Sequence, residues 1–277
     1  MDLRGAEGRP RPMTRHPYLS PDAPRVLAHR GLVTPDAALH GVVENSFAAV
    51  AAAHAAGIAY VESDCHLTAD GEVVLFHDDD LRRVADDPRS IADVRLHELE
   101  EIMSERGGLI TLAQALDAFP EVRFNLDVKA AAAAEHVGRL VAPHAARVLV
   151  TSFSDERRHA ALRAAAAAGA ALSPATSPGS STVARLMAAR ALRQKTRVRR
   201  LLADLDALQI PERQGPVRIV TDGLIRDAHA AGVEVHVWTI NADVDMRRLL
   251  DLGVDGLVTD RADVAVAMVN ERGTTAV

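Results

Sequence analysis

From residue 26 onward the sequence repeats one pattern: a short apolar run, a turn, and a longer Ala-rich stretch with helical spacing. Strands that alternate with helices specify a parallel sheet, because each right-handed crossover lays a helix back on the sheet. This pattern constrains the fold more than any single motif. Val26-Leu27-Ala28 reads as a strand and residues 46–56 as a helix, with Gly57 at the left-handed position that ends helices. Residues 58–67 and 73–76 read as strands joined by a two-residue turn at Asp70-Gly71. A Thr-x-x-Gln capping box at Thr111 opens a helix over 111–119, whose apolar face is Leu112, Ala115, Leu116 and Phe119. Further strands are expected at 122–128, 147–152, 170–175, 217–220, 233–239 and 256–259, and a basic helical stretch over 183–208.

Eight such units in 277 residues suit a single (β/α)₈ TIM-type barrel, which takes about 250 residues. No Gly-x-Gly-x-x-Gly follows the first strand, which weighs against an open dinucleotide-binding sheet. Residues 1–24 carry Arg and Pro without an apolar signal core and read as a flexible or loosely docked lead-in; residues 25–277 read as the barrel domain. The net charge of −6 argues against nucleic acid as a partner. No apolar run reaches the ~18 residues of a membrane span. The lone cysteine, Cys65, excludes an internal disulfide and suits a reducing, cytoplasmic setting.

Functional groups of such barrels sit at the C-terminal ends of the strands. There the sequence places His29-Arg30-Gly31, Glu62 and Asp64, Asn125, Asp127 and Lys129, Ser152, Trp238-Thr239, and Thr259-Asp260. Alternate residues of a strand share a face, so Glu62 and Asp64 point together, as do Asn125 and Asp127. An ordinary salt bridge or a surface position accounts for any one carboxylate taken singly. Three inward carboxylates together call for a cation, and oxygen ligands favour Mg²⁺ or Ca²⁺. A two-residue turn at Asp70-Gly71 sets His77 opposite Asp64, about 5 Å away. His66 and His236 are ambiguous, since both strands have positions facing inward.

In their order and spacing these residues resemble the glycerophosphodiester phosphodiesterase family: His29-Arg30-Gly31, Glu44-Asn45-Ser46, Glu62-x-Asp64, Thr68-x-Asp70-Gly71, His77-Asp78, and the run Val237 to Asn241 before Gly253-Val254-Asp255-Gly256. The resemblance spans about residues 26–268. It implies a TIM-type barrel and metal-dependent hydrolysis of glycerophosphodiesters to glycerol 3-phosphate and an alcohol. It assigns His29 and His77 as the acid–base pair, Arg30 to the phosphate, and Glu62, Asp64 and Asp127 to the metal. Glu44 then lines the metal or glycerol side, Lys129 offsets developing charge, and Trp238 contacts substrate, although a sole tryptophan is equally at home in a core. One departure stands out: the family's third-strand Glu-x-Lys is Asp127-Val128-Lys129 here, one methylene shorter.

Two other readings accompany this one. A lysophospholipid- or sphingolipid-directed hydrolase or lyase on the same barrel is disfavoured by the lack of an apolar docking loop. A non-catalytic barrel that binds phosphorylated metabolites is disfavoured by retention of both histidines and all three carboxylates. The basic residues Arg190, Arg193, Lys195, Arg197, Arg199 and Arg200 read first as a solvated helix face, and second as a weak peripheral contact for anionic lipid. Nothing in the patterning specifies a subunit number.

Overall fold

A computed structural model describes residues 15–20 and 22–275. Its strands are β1 (Arg25–His29), β2 (Tyr60–Leu67), β3 (Val73–Leu75), β4 (Arg123–Val128), β5 (Val148–Thr151), β6 (Ala175–Thr176), β7 (Ala207–Pro211), β8 (Arg213–Gln214), β9 (Val217–Arg218), β10 (Glu234–Trp238) and β11 (Gly256–Thr259). Eight of them run parallel in the order β6-β5-β4-β2-β1-β11-β10-β7, with helices outside. The seam between β6 and β7 is bridged locally. The Asp206 N–H donates to the Thr176 carbonyl at 3.0 Å, its Oδ2 accepts from the Thr176 N–H at 2.8 Å, and the Gln209 N–H donates to Ser177 Oγ at 2.9 Å. The result is the nearly closed (β/α)₈ barrel that the alternation implied.

Strand parity divides the side chains between two cores. Val26, Ala28, Val61, Phe124, Leu126 and Val150 point outward and pack under the helices. Leu27, Tyr60, Leu149, Ala175, Ala207 and Val258 fill the interior together with Tyr18 and Leu19. Tyr18 and Leu19 come from the 3₁₀ turn Pro17–Leu19 and are fully buried. This part of the expected lead-in is therefore docked, because its apolar side chains cover the interior of the barrel; residues 1–14 and 21 lie outside the described residues. Beside them, Arg25 donates to Glu234 from Nε at 2.8 Å and from Nη2 at 2.9 Å, and from Nη1 to Tyr60 Oη at 2.7 Å. Removing one member of such a buried pair costs about 3–5 kcal/mol. His236, ambiguous in sequence, belongs to this network. Its Nε2 lies 2.8 Å from Glu234, and burial pushes its pKa down to about 3, so it stays neutral and donates.

The middle of the chain departs from the pattern reading. Residues 170–174 form no strand; only Ala175–Thr176 pair, with β5. The basic stretch breaks into helices Ser180–Ala191 and Lys195–Leu202 around Arg193, at φ +55°. Residues 207–208 then open β7, whose apolar run merges by eye with the preceding helix. Its full-length register with β10, Ala207 beside Glu234 through Pro211 beside Trp238, makes it a barrel strand. Residues 217–218 sit instead in an antiparallel ribbon with 213–214, off the barrel.

The hairpin register also differs. Cys65 pairs with Leu75, His66 with Val74 and Leu67 with Val73. The Thr68 N–H donates to the Glu72 carbonyl at 2.9 Å, so the loop has three residues, with Gly71 at φ +89°. Asp70 holds the longer loop by accepting from Thr68 Oγ1 at 2.7 Å and from the Leu96 N–H at 3.0 Å. The Phe76 N–H, and not that of His77, therefore reaches the Asp64 carbonyl. Val74, Phe76, Leu81, Ile91, Leu99 and Met103 form a separate small core in this excursion from the barrel. The Thr111 capping box is present in both halves, and the helix Leu112–Ala118 follows it as expected.

Candidate active site

Parallel register brings the acidic residues into adjacent columns. His29 stands beside Glu62 and Glu62 beside Asn125, while Asp64 stands beside Asp127. Adjacent strands are about 4.8 Å apart, so these side chains form two successive layers near the C-terminal ends of the strands. Asp64 and Asp127 are nearly fully buried. Lys129, one residue past β4, sets Nζ 2.9 Å from Asp64 Oδ1 and 2.8 Å from Asp127 Oδ2. Burial opposes the lysine's charge, but the two carboxylates outweigh it and raise its pKa. Part of the cationic charge that the carboxylates demand thus comes from the chain itself.

That charge does not satisfy every acid. Burial pushes the Glu62 carboxyl well up, reinforced by Asp64 and Asp127. Burial also raises Asp127, against the pull of Lys129. Glu62 Oε2 and Asp127 Oδ1 are buried without a hydrogen-bond partner. Buried carboxylate oxygens normally have one, so these two mark a place whose donor chemistry suits a hard cation. Among the described residues, no three His, Cys, Asp or Glu side chains stand close enough together, as placed, to enclose a metal ion.

Arg30 follows β1 at φ +59°, a conformation that costs a non-glycine residue of order 1–2 kcal/mol. The Arg30 N–H donates to the Glu62 carbonyl at 2.7 Å, and its own carbonyl accepts from the Asn45 N–H at 2.8 Å. Gly31 follows at φ +88° because a Cβ there would stand 2.7 Å from the Ala49 carbonyl carbon. The turn aims the guanidinium back across the strand ends. Arg30 Nε lies 3.3 Å from Asp64 Oδ2, and Nη1 lies 3.3 Å from Glu44 Oε1. Asn45, also left-handed at φ +56°, donates to Asp64 Oδ2 at 3.0 Å. His29, Arg30, Gly31, Val33, Glu44 and Asp260 line a cleft of about 310 Å³.

Both histidines are held at Nδ1 by an aspartate. His29 Nδ1 lies 2.6 Å from Asp260 Oδ1, and its Nε2 lies 3.9 Å from Glu62 Oε2. His77 Nδ1 lies 2.7 Å from Asp78 Oδ1. The hydrogen bond from His29 holds the Asp260 carboxyl low against partial burial, with a further bond from Asn241. Burial opposes the ionisation of Asp78, but bonds from His77 and Arg83 hold its carboxyl low. His77 sits two residues past β3, so cross-strand pairing does not place it. It is tied to the cleft through Asp78, whose other oxygen accepts from Arg83 Nε at 2.6 Å while Arg83 Nη2 reaches Glu44 Oε1 at 2.7 Å. His66, the other ambiguous histidine, places Nε2 3.3 Å from the His77 carbonyl and so braces that backbone.

Trp238, half-buried at the end of β10, packs edge-on against Phe153 with ring centroids 5.9 Å apart. Phe153 is exposed, and Lys129 Nζ lies 5.4 Å from its centroid. The nine residues singled out in the sequence are thus joined by contacts or strand register around one end of the barrel. The pattern reading gave no role to Asp78, Asp260, Asn241, Asn45 or Arg83. Asp78 adjoins His77 and Asp260 ends a strand, which are legible signals. Arg83 gives none, because its partner Glu44 lies far back in the sequence.

The chain matches the sequence profile of the glycerophosphoryl diester phosphodiesterase family over residues 29–264. It is 35% identical over 257 residues to a probable glycerophosphodiester phosphodiesterase 2 of Mycobacterium tuberculosis, covering 89% of this chain and 91% of that one. Among solved structures it resembles a glycerophosphodiester phosphodiesterase from Thermotoga maritima, with TM-score 0.64 at 24% identity, covering 88% and 97% of the two chains. It also resembles an Oleispira antarctica phosphodiesterase in complex with the product sn-glycerol-3-phosphate, with TM-score 0.66 at 23% identity, covering 90% and 97%.

Proposed function

The chain belongs to the glycerophosphoryl diester phosphodiesterase family, and on that premise we propose that it hydrolyses glycerophosphodiesters to glycerol 3-phosphate and an alcohol. The observation that carries this reading is the pair of aspartate-held histidines, His29 and His77, with Arg30 in the cleft. A histidine fixed at Nδ1 by a carboxylate presents Nε2 in one tautomer and orientation, ready to take or give a proton. One histidine removes a proton from the attacking oxygen, and the other protonates the departing alcohol oxygen. The attacking oxygen is either that of water or that of the glycerol hydroxyl beside the phosphate, whose cyclic phosphate product water then opens. Arg30 binds the phosphate oxygens and stabilises charge that builds on them, and Lys129 adds to that field. Glu44 steadies Arg30 from the cleft wall, and Trp238 with Phe153 forms an aromatic surface for the substrate.

We assign a divalent cation, Mg²⁺ or Ca²⁺, to Glu62, Asp64 and Asp127. The partnerless buried oxygens of Glu62 and Asp127 support this assignment. When bound, such an ion offsets phosphate charge and polarises a phosphoryl oxygen. The shorter Asp127 retains an oxygen free for it, opposite the one that Lys129 engages.

The test is release of glycerol 3-phosphate from glycerophosphocholine, glycerophosphoethanolamine and glycerophosphoglycerol, with a lysophospholipid assayed in parallel. His29→Ala and His77→Ala should each lower turnover about 10²-fold or more. Choline released from the lysophospholipid alone would favour the lysophospholipid-directed reading, and binding without turnover the non-catalytic one. Full activity after stripping with EDTA rules out the cation. Among the described residues no helix is long and apolar enough to cross a membrane. The reading sets the reaction in the cytoplasm, supported by the single cysteine, and admits weak contact between the basic stretch and anionic lipid.

A further inference from the structure

Arg83 lies in the short helix Arg82–Ala85, within the excursion between β3 and β4. Its Nε donates to Asp78 Oδ2 at 2.6 Å, and its Nη2 pairs with Glu44 Oε1 at 2.7 Å. The second oxygen of Asp78 holds His77 Nδ1, and the same oxygen of Glu44 faces Arg30 Nη1 at 3.3 Å. One guanidinium thereby closes an unbroken chain: His77, Asp78, Arg83, Glu44, Arg30.

We infer that Arg83 is a positioning residue for both His77 and Arg30, setting the acid–base group and the phosphate-binding group in mutual register. The inference rests on the functional reading above. The two groups come from different bodies. His77 emerges from the excursion, which has its own core, while Arg30 leaves the barrel at β1. Within the chain of contacts, Arg83 is the link that crosses between them. Its planar fork suits the task, since Nε and Nη2 address two carboxylates at once, whereas an ammonium is a single point charge. Bonds from Arg83 also help hold Asp78 and Glu44 ionised against their partial burial.

The plainer account is a surface salt bridge, since half of the Arg83 side chain is exposed. Such pairs contribute little to stability, so the two accounts agree on the fold and separate on turnover. A salt bridge of that kind, when lost, leaves turnover alone. A lost positioning residue leaves the fold alone and misplaces two groups, and a misplacement near 1 Å can cost about 10²-fold in rate.

The experiment compares the full-length wild type, R83Q and R83K on glycerophosphocholine and glycerophosphoethanolamine, with thermal melts and crystal structures of each. R83Q should lower kcat about 10- to 10²-fold, raise KM through Arg30, and move Tm by roughly 2 °C or less. R83K should recover only part of kcat, and the R83Q crystal should show Asp78 or Glu44 released from its partner. R83Q with wild-type kcat and KM overturns the inference, as does an R83K enzyme equal to wild type. So does a kcat loss in a crystal where His77 and Arg30 have not moved. A wild type that releases no glycerol 3-phosphate defeats the functional reading instead, and the crystal comparison still reports whether Arg83 sets the two side chains.

Discussion

His29 and Asp260 stand 231 residues apart in sequence, yet Nδ1 of the imidazole lies 2.6 Å from Oδ1 of the carboxylate. The contact exists because β1 and β11 are neighbours, with Ala28 beside Thr259. Asn241 Nδ2 donates to the other oxygen of Asp260 at 2.6 Å and fixes its rotation. Asp260→Asn keeps the shape but loses the charge that orients the ring. Steady-state kinetics should show kcat reduced roughly 10²-fold or more, as expected when an orienting carboxylate is lost. A change under about threefold would mean that His29 needs no such partner.

Lys129 bridges Asp64 and Asp127 while mostly buried. Lys129→Met leaves those acids without their cation. Urea unfolding of metal-free protein should show a loss of about 3–5 kcal/mol. Millimolar Mg²⁺ or Ca²⁺ should return part of it. A loss under ~1 kcal/mol would show that the pair is no more than a surface contact.

Asp155 opens the helix Asp155–Ala167 yet serves the next helix too. It accepts from the Gly179 N–H at 2.9 Å, Ser181 Oγ at 2.7 Å and the Thr182 N–H at 3.1 Å. Burial opposes its ionisation, but these bonds and Arg158 outweigh it and depress the carboxyl pKa. A carboxyl lower in the folded than in the unfolded state adds stability above the unfolded value, near ~3.9, and loses it as pH falls through the folded value. Asp155→Asn should therefore cost about 1–3 kcal/mol at pH 7, and the difference from wild type should shrink toward zero in strong acid. Equal differences at both pH values would refute the linkage.

Gly31 has no room for a Cβ against Ala49 and sits at φ +88°. Gly31→Ala should lose about 2–4 kcal/mol in urea. It should also lose turnover, because the adjoining Arg30 must shift with the turn. A variant with normal kcat and normal stability would contradict the close approach.

From Arg157 through Ala203, both included, the chain has ten Lys or Arg and no Asp or Glu. The helix Ser180–Ala191 follows β6 and returns antiparallel to it, so the basic stretch at its end lies away from the cleft. The protein should cosediment with phosphatidylglycerol vesicles at low ionic strength and detach at about 0.5 M salt. Charge reversal at Lys195 and Arg199 should abolish cosedimentation without altering turnover of glycerophosphocholine. No binding at low salt removes the lipid reading.

Local chemistry made much of the site legible. His29-Arg30, the Glu62-x-Asp64 alternation and the Thr111 cap each follow from rules spanning a few residues, and each stands where those rules set it. The hairpin register did not, because Gly71 serves a three-residue loop as readily as a two-residue one, and the choice falls to the contact of Asp70 with Leu96. β7 was hidden for a similar reason. Four apolar positions after a helix carry no period of their own, and only the ladder with β10 makes them a strand.

The sequence by itself determined the barrel, its layered parity and the inward carboxylates, because backbone period and residue chemistry are local properties, while the acid–base and phosphate roles are what the family resemblance implies. Tertiary structure decided who holds them: Asp260 on His29, Asp78 on His77, Lys129 between two acids, and Arg83 across to Glu44. Most of these contacts join residues that no local rule relates. They arise only when closing the sheet brings distant strand ends within the ~3 Å reach of a hydrogen bond.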